Sequence, residues 1–167
     1  MRRKSNVFSL LIDTVVSSPA WSEQSFDIET AVKKALAMAD VPIHMQGRDL
    51  ELSVVLTDDA HIQTLNRDYR KKDKPTNVLS FTILDEDSFL PDGEAYPLGD
   101  IILAYETIER EAAEQGKSFH DHVLHLLVHG TLHLLGYDHE NDTDANAMES
   151  LEISVLAQLG IANPYTS

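Results

Sequence analysis

The sequence predicts an α+β fold (α/β-like in how its elements interleave): a small four-stranded mixed sheet packed against helices, one of them central. Three observations carry this. Short β-branched or apolar runs alternate with stretches of helical periodicity, with no internal repeat or interior linker. The chain has 167 residues, 43% of them hydrophobic and 25% charged, enough for one soluble core. A single domain over residues 1–167 is therefore expected, with its core at 6–160 and flexible termini. The stretch 123–135 is apolar on more than one helical face, which places its helix inside.

Residues 7–16 read as the first strand, and a polar stretch 17–25 follows. Ile28, Ala31, Val32, Ala35 and Leu36 share one helical face behind Asp27 as N-cap. Residues 50–56 form the second strand. Thr57-Asp58-Asp59 then caps a helix bearing Ile62, Leu65 and Tyr69. Lys74-Pro75-Thr76 breaks that helix, and residues 78–84 make the third strand. Acidic, glycine and proline positions over 85–97 predict a mobile loop, and 98–103 the fourth strand. An amphipathic helix over 106–115 ends at Gly116. Ser118 caps the long helix that ends at Gly136, and a final helix over 143–159 stops at Gly160.

The chain has no cysteine, so no disulfide partner and no thiolate ligand exist, and any metal must be held by nitrogen or oxygen. Met-Arg-Arg-Lys resembles the start of a signal peptide, but the apolar run 7–12 is short, contains Ser9 and leads to Asp13. The most apolar later stretch carries His125, His129 and His133, which argues against a membrane span. A cytoplasmic protein is expected. The net charge of −15 opposes indiscriminate binding to nucleic acid. Yet five of the 13 basic residues fall within eight positions: Arg67, Arg70, Lys71, Lys72 and Lys74. Such a patch can hold a few phosphates, although a solvated helix end complementing the macrodipole has the same composition.

The segment His129-Gly-Thr-Leu-His133-Leu-Leu-Gly136-Tyr-Asp-His139 is the most informative in the chain. Residues four apart on an α-helix differ by about 40° around the axis and about 6 Å along it, so His129 and His133 project side by side. Gly136 suits a left-handed helix terminus, after which His139 can return to the same point. A lone histidine on an apolar face is ordinarily a packed core residue. Two at this spacing, then glycine and a third histidine at the metzincin interval, predict one bound metal ion on the central helix. Zinc comes first; imidazole also suits iron, nickel and copper. Three imidazoles leave a tetrahedral zinc one position short, as catalytic sites do. In the zinc-peptidase motif H-E-x-x-H a general-base glutamate follows the first ligand, and here that position is Gly130. Asp100 and Asp138 are candidates to orient a ligand histidine. His122 and His125, on roughly the same face as His129, are either core residues or secondary participants.

This segment resembles the H-G-x-L-H-L-x-G-Y-D-H signature of the YbeY family, bacterial ribosomal-RNA maturation factors described as metal-dependent endoribonucleases. Leu65-Asn66 through Tyr69-Arg70, Lys72-Asp-Lys-Pro-Thr-Asn-Val-Leu-Ser-Phe81 and Leu98-Gly-Asp-Ile-Ile102 agree with it as well. The likeness runs in order over roughly residues 50–140, and the acidic loop at 85–94 is its least familiar part. The resemblance implies zinc at His129, His133 and His139, a functional Arg70 and single-stranded RNA as substrate. It also implies roles with the small ribosomal subunit, in ribosomal-RNA processing and ribosome quality control. On that reading Arg70 is catalytic, its guanidinium fork matching two oxygens of the scissile phosphate, and Lys71, Lys72 and Lys74 bind flanking phosphates. Two alternatives stay open: a non-catalytic ribosome-assembly factor with a structural zinc, and a metzincin-like metallopeptidase.

Overall fold

The computed structural model describes residues 9–85 and 88–166. Its strands are β1 (Leu10–Val16), β2 (Leu50–Thr57), β3 (Val78–Thr82) and β4 (Tyr96–Ala104), in the sheet order β1-β2-β4-β3. β1, β2 and β4 run parallel, and β3 pairs antiparallel with β4 at the sheet edge. The helices are α1 (Ile28–Met38), α2 (Asp59–Arg70), α3 (Tyr105–Gln115), α4 (Phe119–Leu134) and α5 (Asp142–Gln158). This is the expected α+β architecture with a four-stranded mixed sheet. The start expected for the first strand, Val7 and Phe8, lies outside the described residues, as do the first residues expected to be flexible.

Side-chain alternation divides the apolar residues of the sheet between two clusters. Leu50, Leu52, Val54 and Leu56 of β2 and Leu98, Ile101 and Leu103 of β4 join the main core with α1, α4 and α5. Leu79, Ile102 and Ala104 meet Ile62 of α2 in a smaller second cluster. α4 lies in the main core, with Val123, Leu127, Val128 and Leu132 at 0% exposure. It approaches the sheet closely at Gly130, where a Cβ would stand 3.0 Å from both Ile101 Cγ2 and Ser80 Oγ. Among the described residues no helix is long and apolar enough to cross a membrane.

The capping residues act as their types require. Asp27, Asp58 and Ser118 accept backbone N–H groups of Thr30, His61 and Asp121 at the starts of α1, α2 and α4. The departures from expectation have local causes. The 17–25 stretch contains a one-turn 3-10 helix, Pro19–Trp21, because Trp21 is 2% exposed and its Nε1–H donates to the Thr57 carbonyl at 2.8 Å. β4 begins at Tyr96 rather than 98, crossing a register shift that Gly99 accommodates at φ +143°. β3 stops at Thr82, two residues short. The loop expected to be mobile includes residues 86–87, outside the described residues. Its later part is fastened, since the Arg48 guanidinium donates to the carbonyls of Leu90, Pro91 and Glu94 at 2.8, 2.7 and 3.0 Å. α2 ends without glycine: Lys71 itself takes the left-handed conformation at φ 62°.

Candidate metal centre

The last turns of α4 place His129 and His133 on one face, and α4 ends at Leu134. Gly136, at φ +102°, then turns the chain while the N–H groups of Gly136 and Tyr137 bond to the carbonyls of His133 and Leu132, each at 3.0 Å. This reversal returns His139, whose backbone N–H donates to Asp138 Oδ1 at 2.7 Å. One nitrogen from each of His129, His133 and His139 lies within 4.8 Å of the others, a group suited to hold a metal ion. His129 Nε2 and His133 Nε2 are 3.1 Å apart, close to the edge of about 3.3 Å in a tetrahedron with bonds of about 2.0–2.1 Å. Burial, aided by the neighbouring His129 and His139, lowers the His133 pKa to about 4, so its ring is neutral at pH 7, as a ligand must be.

The trio opens on a cavity of about 290 Å³ whose lining includes Arg70, Asn77, Ser80 and Thr82. Arg70 arrives from the end of α2 and the other three from β3 and the residue before it. Lys71, Lys72 and Lys74 follow Arg70 as exposed residues and do not line this cavity. Their loop is anchored from below: buried Asn66 donates through Nδ2 to the Lys74 carbonyl at 2.9 Å, and the Lys72 N–H donates to the Asn66 carbonyl at 3.2 Å. Arg67, also in the basic run, is paired with Asp68 at 3.0 Å.

Among the described residues, the carboxylate hydrogen-bonded to a ligand ring belongs to neither sequence candidate. Asp138 accepts from a backbone N–H. Burial raises the Asp100 pKa, and among the described residues Asp100 gives no hydrogen bond to a histidine ring. Glu152 of α5 occupies that place instead. It is 0% exposed; its Oε2 accepts from His129 Nδ1–H at 2.7 Å and its Oε1 from His125 Nε2–H at 2.8 Å. The Tyr165 hydroxyl donates to the same Oε1. Burial alone would raise the Glu152 pKa, but these hydrogen bonds outweigh it and hold the carboxyl at about 2. His125 is therefore a partner of the carboxylate and stands outside the metal group. His122 turns its Nε2 to Glu111 at 2.9 Å, also away from the trio. The signal for Glu152 in the sequence is one glutamate on the face Met148, Glu152, Val155, Leu156, otherwise apolar at helical spacing.

The chain is also similar to known proteins. The family profile described as Endoribonuclease YbeY matches residues 17–160. A protein of Paramagnetospirillum magneticum named Endoribonuclease YbeY is 51% identical over 151 residues, 90% of this chain and 92% of that protein. One of the same name from Rhodospirillum rubrum is 55% identical over 141 residues, 83% of this chain and 70% of its own. A third, from Magnetococcus marinus, is 59% identical over 122 residues, 70% of this chain and 83% of its own. The solution structure of a Thermotoga maritima protein superposes with a TM-score of 0.53 at 22% identity, over 94% of this chain and all (100%) of that one, which supports the fold.

Proposed function

The chain belongs to the Endoribonuclease YbeY family, and on that premise we propose that it is a zinc-dependent endoribonuclease specific for single-stranded RNA. We place its work in the cytoplasm, in small-subunit ribosomal-RNA maturation and ribosome quality control, with RNA and the small subunit as partners. The family supports the coarser statement, a hydrolase that cuts RNA. The observation that carries the finer reading is the histidine trio facing the same cavity as Arg70.

His129, His133 and His139 would hold the ion. A donor set of three neutral nitrogens without thiolate fits zinc, and phosphodiester hydrolysis asks for no redox change. When bound, such an ion supplies Lewis-acid polarisation of a phosphoryl oxygen and brings the pKa of water down to about 7. Arg70 presents a planar fork to the scissile phosphate and offsets the charge that gathers on its oxygens in the transition state. Lys71, Lys72 and Lys74, on the exposed loop after Arg70, attract the flanking phosphates of an extended strand. Gly130 stands where the peptidase motif has its glutamate. A side chain at Gly130 would be driven into Ile101 and Ser80, so the position serves packing between helix and sheet.

The deciding experiment compares wild type with His133→Ala on unstructured and base-paired RNA of equal length, measuring zinc content in both. Cleavage of the unstructured RNA by zinc-loaded wild type, lost together with zinc in the variant, is expected. Cleavage that survives zinc loss overturns the proposal.

A further inference from the structure

We infer that Glu152 is the positioning residue of the metal centre, fixing His129 as a ligand, and that His125 and Tyr165 hold its carboxylate in place. The inference rests on the metal reading of the histidine trio and is independent of what the protein cuts.

Glu152 has no contact with solvent, so a carboxylate in that position must be compensated by hydrogen bonds. Its two oxygens are instead fully engaged by groups from three places in the chain: two histidines on α4, one turn apart, and a tyrosine beyond the end of α5. An ionised carboxylate only accepts hydrogen bonds, so the His129 proton must sit on Nδ1. Nε2 is then left as a lone pair, and Nε2 is the atom 3.1 Å from His133 Nε2. The tautomer needed of a ligand is therefore set before any ion arrives, and the negative charge raises the basicity of the donating ring.

His125 is held by the same carboxylate. Its Nε2–H donates to Glu152, and its Nδ1 is buried without a partner among the described residues; a bare lone pair is easier to bury there than an N–H. The Tyr165 ring packs edge-on against His125 with centroids 5.5 Å apart. Gly160, at φ +79°, and the Ile161 N–H bonded to the Leu156 carbonyl at 2.9 Å turn the tail back to make this contact. The C-terminal tail is thus part of the metal centre through Glu152, although it supplies no ligand.

The test uses the full chain stripped of zinc, with Zn2+ affinity measured against a chromophoric chelator and the site read from the absorption spectrum of the Co2+ form. Glu152→Gln is expected to raise the Zn2+ dissociation constant about 10–100-fold and to change the Co2+ spectrum. Tyr165→Phe shifts both in the same direction by less. Glu114→Gln, at an exposed position of α3, changes neither. If Glu152→Gln does not fold, nitrogen NMR of zinc-free wild type decides, with His129 expected as the Nδ1–H tautomer. A folded Glu152→Gln protein with wild-type affinity and spectrum, or a wild-type His129 protonated on Nε2, overturns the role of Glu152. Wild type without zinc affinity overturns the metal reading itself.

Discussion

Arg70 lines the cavity of the metal centre while Gly130 is buried next to the ligand His129, and their substitutions separate chemistry from packing. Arg70 is an exposed side chain lining the cavity, with no ion pair to a carboxylate among the described residues, so its loss should leave the fold intact. Arg70→Ala is expected to lower kcat/KM on unstructured RNA on the order of 100-fold, the scale of losing one charged hydrogen-bonding group at a developing anion. Zinc content stays that of wild type, and Arg70→Lys recovers only part of the rate because an ammonium lacks the fork. A parallel fall in zinc content would make Arg70 structural. At Gly130, alanine gains about 1 kcal/mol of helix propensity but forces an overpacked contact that costs about 1–3 kcal/mol. With Ile101 and Ser80 both at 3.0 Å from the added carbon, Gly130→Ala should be less stable than wild type by about 1 kcal/mol in urea titration, with the urea m-value unchanged.

At the scale of elements, what was legible in the sequence depended on whether the cause lay nearby along the chain. Asp27, Asp58 and Ser118 announced helix starts because a cap acts within one turn, and Gly116, Gly136 and Gly160 announced ends for the same reason. The histidine trio was legible because its three members span one helix end and one reversal. Glu152 was not, because its bond to His129 joins residues 23 apart on different helices and exists only once α5 packs on α4. The early start of β4 was hidden by Pro97 and Gly99, poor strand residues whose places are fixed by pairing with β2. Gly99 shows how strict that placement is: an added Cβ would lie 2.0 Å from the Phe81 carbonyl oxygen, at φ +143°. Gly99→Ala should therefore cost about 3 kcal/mol or more, or abolish folding. Lys71 offers the opposite case, a side chain in the left-handed region at a helix end where glycine would be unstrained. Lys71→Gly should stabilise the fold by roughly 0.5–1 kcal/mol in a thermal melt. A lower melting temperature would mean that the lysine side chain contributes more than its backbone costs.

Over the whole molecule the charges conflict, with a net charge of −15 and, among the described residues, a short cationic loop that begins at Arg70 on the edge of the metal centre's cavity. Long-range attraction of a polyanion is weak for such a chain, and binding must come from the few cations that touch phosphate directly. Within the basic run Arg67 is already paired with Asp68, which leaves Arg70, Lys71, Lys72 and Lys74 there. Each phosphate neutralised on a single strand releases counterions and contributes about −0.7 to the slope of log K against log salt concentration. Four contacts predict a slope of about −3 for zinc-free protein, which binds without turnover. Replacing the three lysines together by alanine should reduce its magnitude by about 2 and weaken affinity nearly equally for different RNA sequences, because phosphate contacts carry no base information. Arg70→Ala alone should reduce it by about 0.7. Fluorescence anisotropy of a labelled oligonucleotide from low to physiological salt reads these slopes. An unchanged slope in the triple variant would mean that the RNA crosses a different face of the molecule and that the loop after Arg70 is only a solvated helix end.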